Sequence, residues 1–216
     1  MRNNIIKKVE ETGIIVIVRG VEREKLIPLA EAMYAGGVRL LEITYSANGS
    51  TPDEQTAENI AMLAKHFAGR MYIGAGTVLS ERQVELTAAA GGGFIISPDT
   101  NPAVIKKARE LDLVSMPGAL TPTEIQTAHL AGADFIKLFP VDAFGPGYVK
   151  AVKAPLSHVK LLAVGGVNLE NMESYRAAGA VGFGIGSGIV DKRLIDSGNF
   201  AEITRQAEAY AKAARG

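Results

Sequence analysis

The chain has 216 residues, 47% hydrophobic and 21% charged, an ordinary balance for a folded globular protein and too apolar for a disordered one. Its 23 Lys+Arg offset its 23 Asp+Glu, so no excess positive charge drives binding to nucleic acid or to an anionic membrane. The absence of cysteine excludes a disulfide scaffold, a thiolate nucleophile and Cys-ligated zinc or iron–sulfur centres.

The opening MRNNIIKKVEETG carries charges throughout and lacks the apolar core of a signal peptide. The apolar run that follows, 14–18, is far short of the ~20 residues that cross a bilayer. A cytoplasmic protein with no membrane partner is expected. At ~150 residues per domain, and with no Pro/Ser-rich linker or charge run, residues 1–216 read as a single domain.

Eight short apolar runs follow in order: IIVIV (14–18), VRLLEIT (38–44), MYIGAG (71–76), FIISP (94–98), LVSMPG (113–118), DFIKLFP (134–140), KLLAVGG (160–166) and VGFGIGS (181–187). Each is rich in Ile, Val and Leu with little alternation, as strands covered on both faces should be. Helical patterns lie between them. Thr51-Pro52-Asp53-Glu54 predicts a helix with Pro at its first position. Ser80-Glu81-Arg82-Gln83 and Thr121-Pro122-Thr123-Glu124 fit capping boxes, and Asn101 and Asn168 are further N-cap candidates. Ala-Gly pairs at 35, 90, 131 and 178 precede runs two, four, six and eight, each Gly placed to end a helix in the left-handed conformation. The last fifteen residues, EITRQAEAYAKAARG, read as an amphipathic terminal helix.

Eight strand–helix units predict an α/β protein, a (β/α)8 TIM barrel with N-terminal and C-terminal helices. An open doubly wound sheet is the alternative. Its fingerprint is missing, because Gly74-Ala75-Gly76 and Gly184-Ile185-Gly186 each lack the third Gly of GxGxxG.

Polar residues at the C-terminal ends of barrel strands are the ones that reach a ligand. Lys137 stands inside FIKLF, where burying an ammonium is costly without a partner. It is either an ion-paired lysine whose head leaves the strand end or an amine with a depressed pKa, suited to a Schiff base with a carbonyl. Glu42 repeats the anomaly in LLEIT, on a strand expected opposite that of Lys137. It is either a structural partner or a proton relay. Arg19, at the end of the first run, suits a carboxylate or phosphate, and Thr77 ends GAGT on the face of Ile73 and Ala75. Gly165-Gly166 and Gly184-Ile185-Gly186-Ser187-Gly188 close the last two runs, where this fold holds phosphate on backbone N–H groups and a helix N-terminus. His66, His129 and His158 are far apart in sequence, outside HExxH or HxH spacing, and a His-bound metal is not expected.

These residues occur in a characteristic order: LEIT around Glu42, GAGT (74–77), ISPDTNP (96–102), MPGALTPTE (116–124), FIKLFP (135–140), AVGGV (163–167) and GIGS (184–187). Together they resemble the family of 2-keto-3-deoxy-6-phosphogluconate and 4-hydroxy-2-oxoglutarate aldolases, over residues 13–195. The branch that includes 2-keto-3-deoxy-6-phosphogalactonate aldolase is the most similar, through Val18-Arg19-Gly20 and FPVDAFGPGYVKAVKAPL (139–156). The resemblance implies a class I aldolase without cofactor or metal, a homotrimer, that cleaves a 6-phosphorylated 2-keto-3-deoxy sugar acid to pyruvate and glyceraldehyde 3-phosphate. It implies Lys137 as the Schiff-base lysine and Glu42 as the general acid/base. Thr77, Pro98 and Phe139 are implied around the pyruvyl group, and Gly165, Gly166, Gly186 and Ser187 at the phosphate. Gluconate-type members carry Arg in a Leu-Arg-Thr segment where this chain has Tyr45-Ser46-Ala47; galactonate-type members resemble it in lacking that Arg and having one at position 19. Two other readings of the same residues are a phosphate-binding isomerase or epimerase without an imine, and a non-catalytic sugar-phosphate sensor.

Overall fold

The computed structural model describes residues 1–216. Helix α1 (Arg2–Thr12) comes first, and Gly13, left-handed at φ 64°, turns it into β1 (Ile14–Val18). Strand and helix then alternate: α2 (Arg23–Ala35), β2 (Leu40–Thr44), α3 (Asp53–His66), β3 (Tyr72–Gly76), α4 (Glu81–Ala89), β4 (Phe94–Ile96), α5 (Pro102–Glu110). After β5 (Val114–Met116) and β6 (Gly118–Ala119) come α6 (Pro122–Leu130), β7 (Ile136–Leu138), α7 (Gly145–Lys153) and β8 (Leu161–Val164). The chain ends with α8 (Met172–Ala177), β9 (Ala180–Ile185), α9 (Lys192–Asp196) and α10 (Phe200–Arg215). No helix is long and apolar enough to cross a membrane.

All strand pairs are parallel, in the order β5-β4-β3-β2-β1-β9-β8-β7-β6. β5 and β6 come from one apolar run, interrupted at Pro117, which has no N–H to give to a ladder. One piece pairs with β4 and the other with β7, so the ring closes at this break. The expected barrel is present, with its fifth strand in two pieces. β2 and β7 stand on opposite sides, separated one way by β1, β9 and β8 and the other way by β3, β4 and the broken strand.

Two clusters fill the fold. Alternate residues of the strands, such as Ile15, Leu40, Phe94, Phe135 and Leu162, form the inner one, and Ile5 and Val9 of α1 join it from below. The other strand face packs on the surrounding helices. α1 thus plugs the N-terminal end of the barrel and is tied there by an ion pair from Arg2 to the buried carboxylate of Asp134. Truncating a plug or barrel residue such as Phe94 to Ala would cost about 3–5 kcal/mol.

Most start and stop signals hold. Thr121 and Glu124 make a reciprocal capping box, and Asn101 caps α5. Ser80 caps α4, but the side chain of Gln83 takes the N–H of Leu79 at 2.7 Å, not that of Ser80, so this box is only half formed. α3 starts one residue later than expected, with Pro52 outside it. Asn168 caps a turn, accepting from Glu170 and Asn171, and α8 begins after that turn. Gly91, Gly132 and Gly179 are left-handed as expected, but after Ala35 that role falls to Gly37 and not to Gly36.

Candidate active site

Alternation along β7 turns Ile136 and Leu138 to the helices and Phe135 and Lys137 into the barrel. On β2, Leu41 and Ile43 face outward, and Leu40 and Glu42 face inward. Glu42 is 2% exposed. Lys137 and Glu42 are the only charged groups lining a cavity of about 10 Å³, walled otherwise by residues such as Ile17, Ile96, Met116 and Val164; this is room for about one water. They form no direct ion pair.

Burial pushes the Lys137 amine below the ordinary lysine range; the Glu42 charge opposes this and the Arg19 charge adds to it. Burial pushes the Glu42 carboxyl above its ordinary range, against the pull of Lys137, a hydrogen bond from Thr44 and the charge of Arg19. Both shifts move these groups toward the neutral form, which a nucleophilic amine and a general acid require. Lys137 Nζ also lies 4.6 Å from the centroid of the Phe139 ring.

Thr44 and Gly76 belong to this centre although the sequence reading did not assign them a site role. Thr44 Oγ1 donates to Glu42 Oε1 at 3.1 Å. Gly76 is the register partner of Thr44 on β3, and a Cβ there would overlap the Glu42 carboxylate. A Thr two residues beyond Glu42 and a Gly ending the next strand were the available signals.

At the mouth, Arg19 Nη2 donates to Thr77 Oγ1 at 3.2 Å, joining the ends of β1 and β3. Thr77 has φ 54°, an unusual conformation for a β-branched residue. Arg19 is exposed and borders a cleft of about 370 Å³ with Thr44, Ser46, Asn48 and Ser50. Pro98 stands against Gly118, whose Cβ would overlap the Pro98 carbonyl, and Gly118 is the register partner of Lys137. Phe139 is 38% exposed and lies against Gly165. Lys137, Glu42, Arg19, Thr77, Pro98 and Phe139 therefore gather at the C-terminal end of the barrel.

The glycine loops stand at the ends of β8 and β9, the last two strands, as expected. Gly165 and Gly166 have positive φ of 99° and 65°, and the amides of Gly165, Gly166, Ser187 and Gly188 donate to no group of the chain. Gly186 turns the chain by accepting from Ile189 and Val190. The helix N-terminus expected beside them, that of α9, already carries an anion, the Asp191 carboxylate, which accepts from Arg193 N at 2.8 Å. Only Gly184 of this motif reaches the Lys137–Glu42 cavity.

His129 and His158 are brought together, their ring centroids 4.8 Å apart, whereas their sequence separation suggested isolated residues. His66 bonds Glu31 at 2.6 Å. A cavity of about 520 Å³ opens at the other end of the barrel among Met1, Lys8, Arg39 and Arg70, away from these groups.

Residues 5–206 match the family model described as KDPG and KHG aldolase. The chain is 36% identical over 204 residues to 2-dehydro-3-deoxy-6-phosphogalactonate aldolase of Escherichia coli strain K12, covering 94% of each. It is 31% identical over 202 residues to 2-dehydro-3-deoxy-phosphogluconate aldolase of Haemophilus influenzae, covering 93% of this chain and 92% of that one. Its fold superposes with a TM-score of 0.84, at 29% identity and 97% of both chains, on KDPG aldolase from Legionella pneumophila, solved with pyruvate captured as a covalent carbinolamine.

Proposed function

The chain belongs to the family of KDPG and KHG aldolases, and from that premise we propose that it cleaves 2-keto-3-deoxy-6-phosphogalactonate to pyruvate and glyceraldehyde 3-phosphate. It is a class I aldolase, a carbon–carbon lyase. The observation that carries the assignment of its chemistry is the pair Lys137 and Glu42, alone among apolar residues in one cavity.

In this proposal the Lys137 amine attacks the C2 ketone and Glu42 protonates the C2 oxygen, giving a carbinolamine. The nitrogen then passes a proton through Glu42 to that oxygen, which departs as water, so that a protonated imine and an ionised Glu42 remain. Glu42 then takes the proton of the C4 hydroxyl, and C3–C4 breaks. Its electron pair passes to the imine nitrogen, so the aldehyde departs and an enamine remains. Protonation at C3 and hydrolysis release pyruvate and restore the amine. Arg19 and Thr77 hold the substrate carboxylate, and Pro98 and Phe139 wall the pyruvyl group. The free amides around Gly165, Gly166, Gly186 and Ser187 receive the phosphate.

The galactonate-derived acid is favoured because a cation stands at Arg19 and none at Ser46, and the relative named for that substrate shares 36% identity against 31% for the gluconate-named one. A homotrimer, on family resemblance alone, completes the proposal. Turnover of the two phosphorylated acids, with lactate dehydrogenase reporting pyruvate, tests it. The galactonate-derived acid is expected to have the higher kcat/KM. Preference for the gluconate-derived acid would reverse the substrate assignment, and no pyruvate from either would return the site to isomerase chemistry.

A further inference from the structure

The two carboxylate oxygens of Glu42 have unlike surroundings. Oε1 accepts from Thr44 Oγ1 at 3.1 Å. Oε2 is buried and has no hydrogen-bond partner. The carboxylate occupies the space beside Gly76 that any side chain there would need, and Gly76 faces Thr44 across the β2–β3 ladder. A buried oxygen left unpaired costs about 1–3 kcal/mol, and the one polar side chain sharing its cavity is Lys137.

We propose that Thr44, donating to the carboxylate that fills the space Gly76 leaves, is a positioning residue that fixes Oε1 so that Oε2 alone carries the travelling proton between Glu42 and the amine of Lys137. A hydroxyl donating to Oε1 disfavours a proton on that oxygen, so protonated Glu42 carries its hydrogen on Oε2. That oxygen gives its proton as the C2–O bond of the carbinolamine breaks and water leaves, and it takes one back in the reverse step. Thr44 itself exchanges no proton. Its hydroxyl also favours the ionised carboxylate, so its loss raises the Glu42 pKa and moves any step that needs ionised Glu42 to higher pH.

The inference rests on the aldolase reading. Its test uses the full chain with pyruvate as probe, comparing the unaltered protein with Thr44→Val and Thr44→Ser. Two quantities are measured: deuterium exchange into the pyruvate methyl group by NMR against pH, and the mass of the borohydride-reduced adduct at saturating pyruvate. Thr44→Val is expected to keep the adduct and its KM for pyruvate within about twofold. Its exchange kcat should fall about tenfold, the order of a hydrogen bond to a charged group, and its acid limb should move to higher pH. Thr44→Ser should restore both kcat and the limb. An unshifted limb with full kcat in Thr44→Val, or no recovery in a Thr44→Ser protein with unchanged melting, overturns the positioning role. Absence of adduct and exchange in the unaltered protein overturns the aldolase reading instead.

Discussion

Lys137 of β7 and Glu42 of β2 face one another across the barrel and line the same small cavity without a direct ion pair. For each, burial outweighs the attraction of the other. Such a pair lowers stability in exchange for reactivity, and apolar or neutral replacements of similar volume are often neutral or stabilising. The double variant Lys137→Met/Glu42→Gln should therefore be inactive and melt above the parent at pH 7, by about 2–4 °C for each kcal/mol recovered. A lower melting temperature in calorimetry would show that the pair holds the barrel together.

The pH dependence of stability follows from the same shifts. Glu42 has a folded pKa raised above its unfolded value of ~4.3. Its contribution to stability is complete below that unfolded value and is lost as pH rises through the folded one. The parent and Glu42→Gln should therefore differ least near pH 4, and the variant should gain melting temperature relative to the parent as pH rises toward neutrality. Divergence in the opposite direction would mean that Lys137 dominates the carboxyl. The same variant should lose roughly 10²–10⁴-fold in kcat, the usual contribution of a positioned acid/base.

Gly76→Ala should displace the Glu42 side chain, because the new methyl group takes the carboxylate's place. A fall in kcat of roughly a hundredfold or more is expected, with a stability loss of about 1–3 kcal/mol from overpacking. Steady-state kinetics and denaturant unfolding check the two effects separately. Full activity would mean that Glu42 has another productive position.

Arg19→Gln tests the mouth. The guanidinium is exposed, so stability should change by no more than about 0.5 kcal/mol. KM should rise roughly 10–100-fold, as for a lost charge-assisted hydrogen bond, and the parent's KM should increase with salt because an exposed charge is screened. Thr77→Gly removes both the Arg19 acceptor and the left-handed strain. It should raise KM without lowering the melting temperature. A kcat effect with unchanged KM in both variants would place substrate elsewhere.

Much of the fold was legible because eight apolar runs alternate with capped helical patterns. The break at Pro117 was not, since LVSMPG reads as one run until the missing N–H is set against two different neighbours. Lys137 and Glu42 stood out because a charge inside an apolar strand needs a reason. Gly76 and Thr44 did not, because their nearness to the Glu42 carboxylate depends on the β2–β3 register, which residue type alone does not show. The contact of His129 with His158 depends on the loop after α7 returning to the end of α6. At the glycine loops the fold rule anticipated a helix N-terminus, but Asp191 already caps it, which leaves the free amides of the turns as the candidate anion site.

Borohydride reduction in the presence of pyruvate, followed by peptide mass spectrometry, bears most directly on the role of Lys137. A single reduced pyruvyl adduct on the peptide containing Lys137, with no adduct and no aldol cleavage in Lys137→Ala, is the expected result. An adduct on another lysine, or cleavage undiminished in Lys137→Ala, would contradict it.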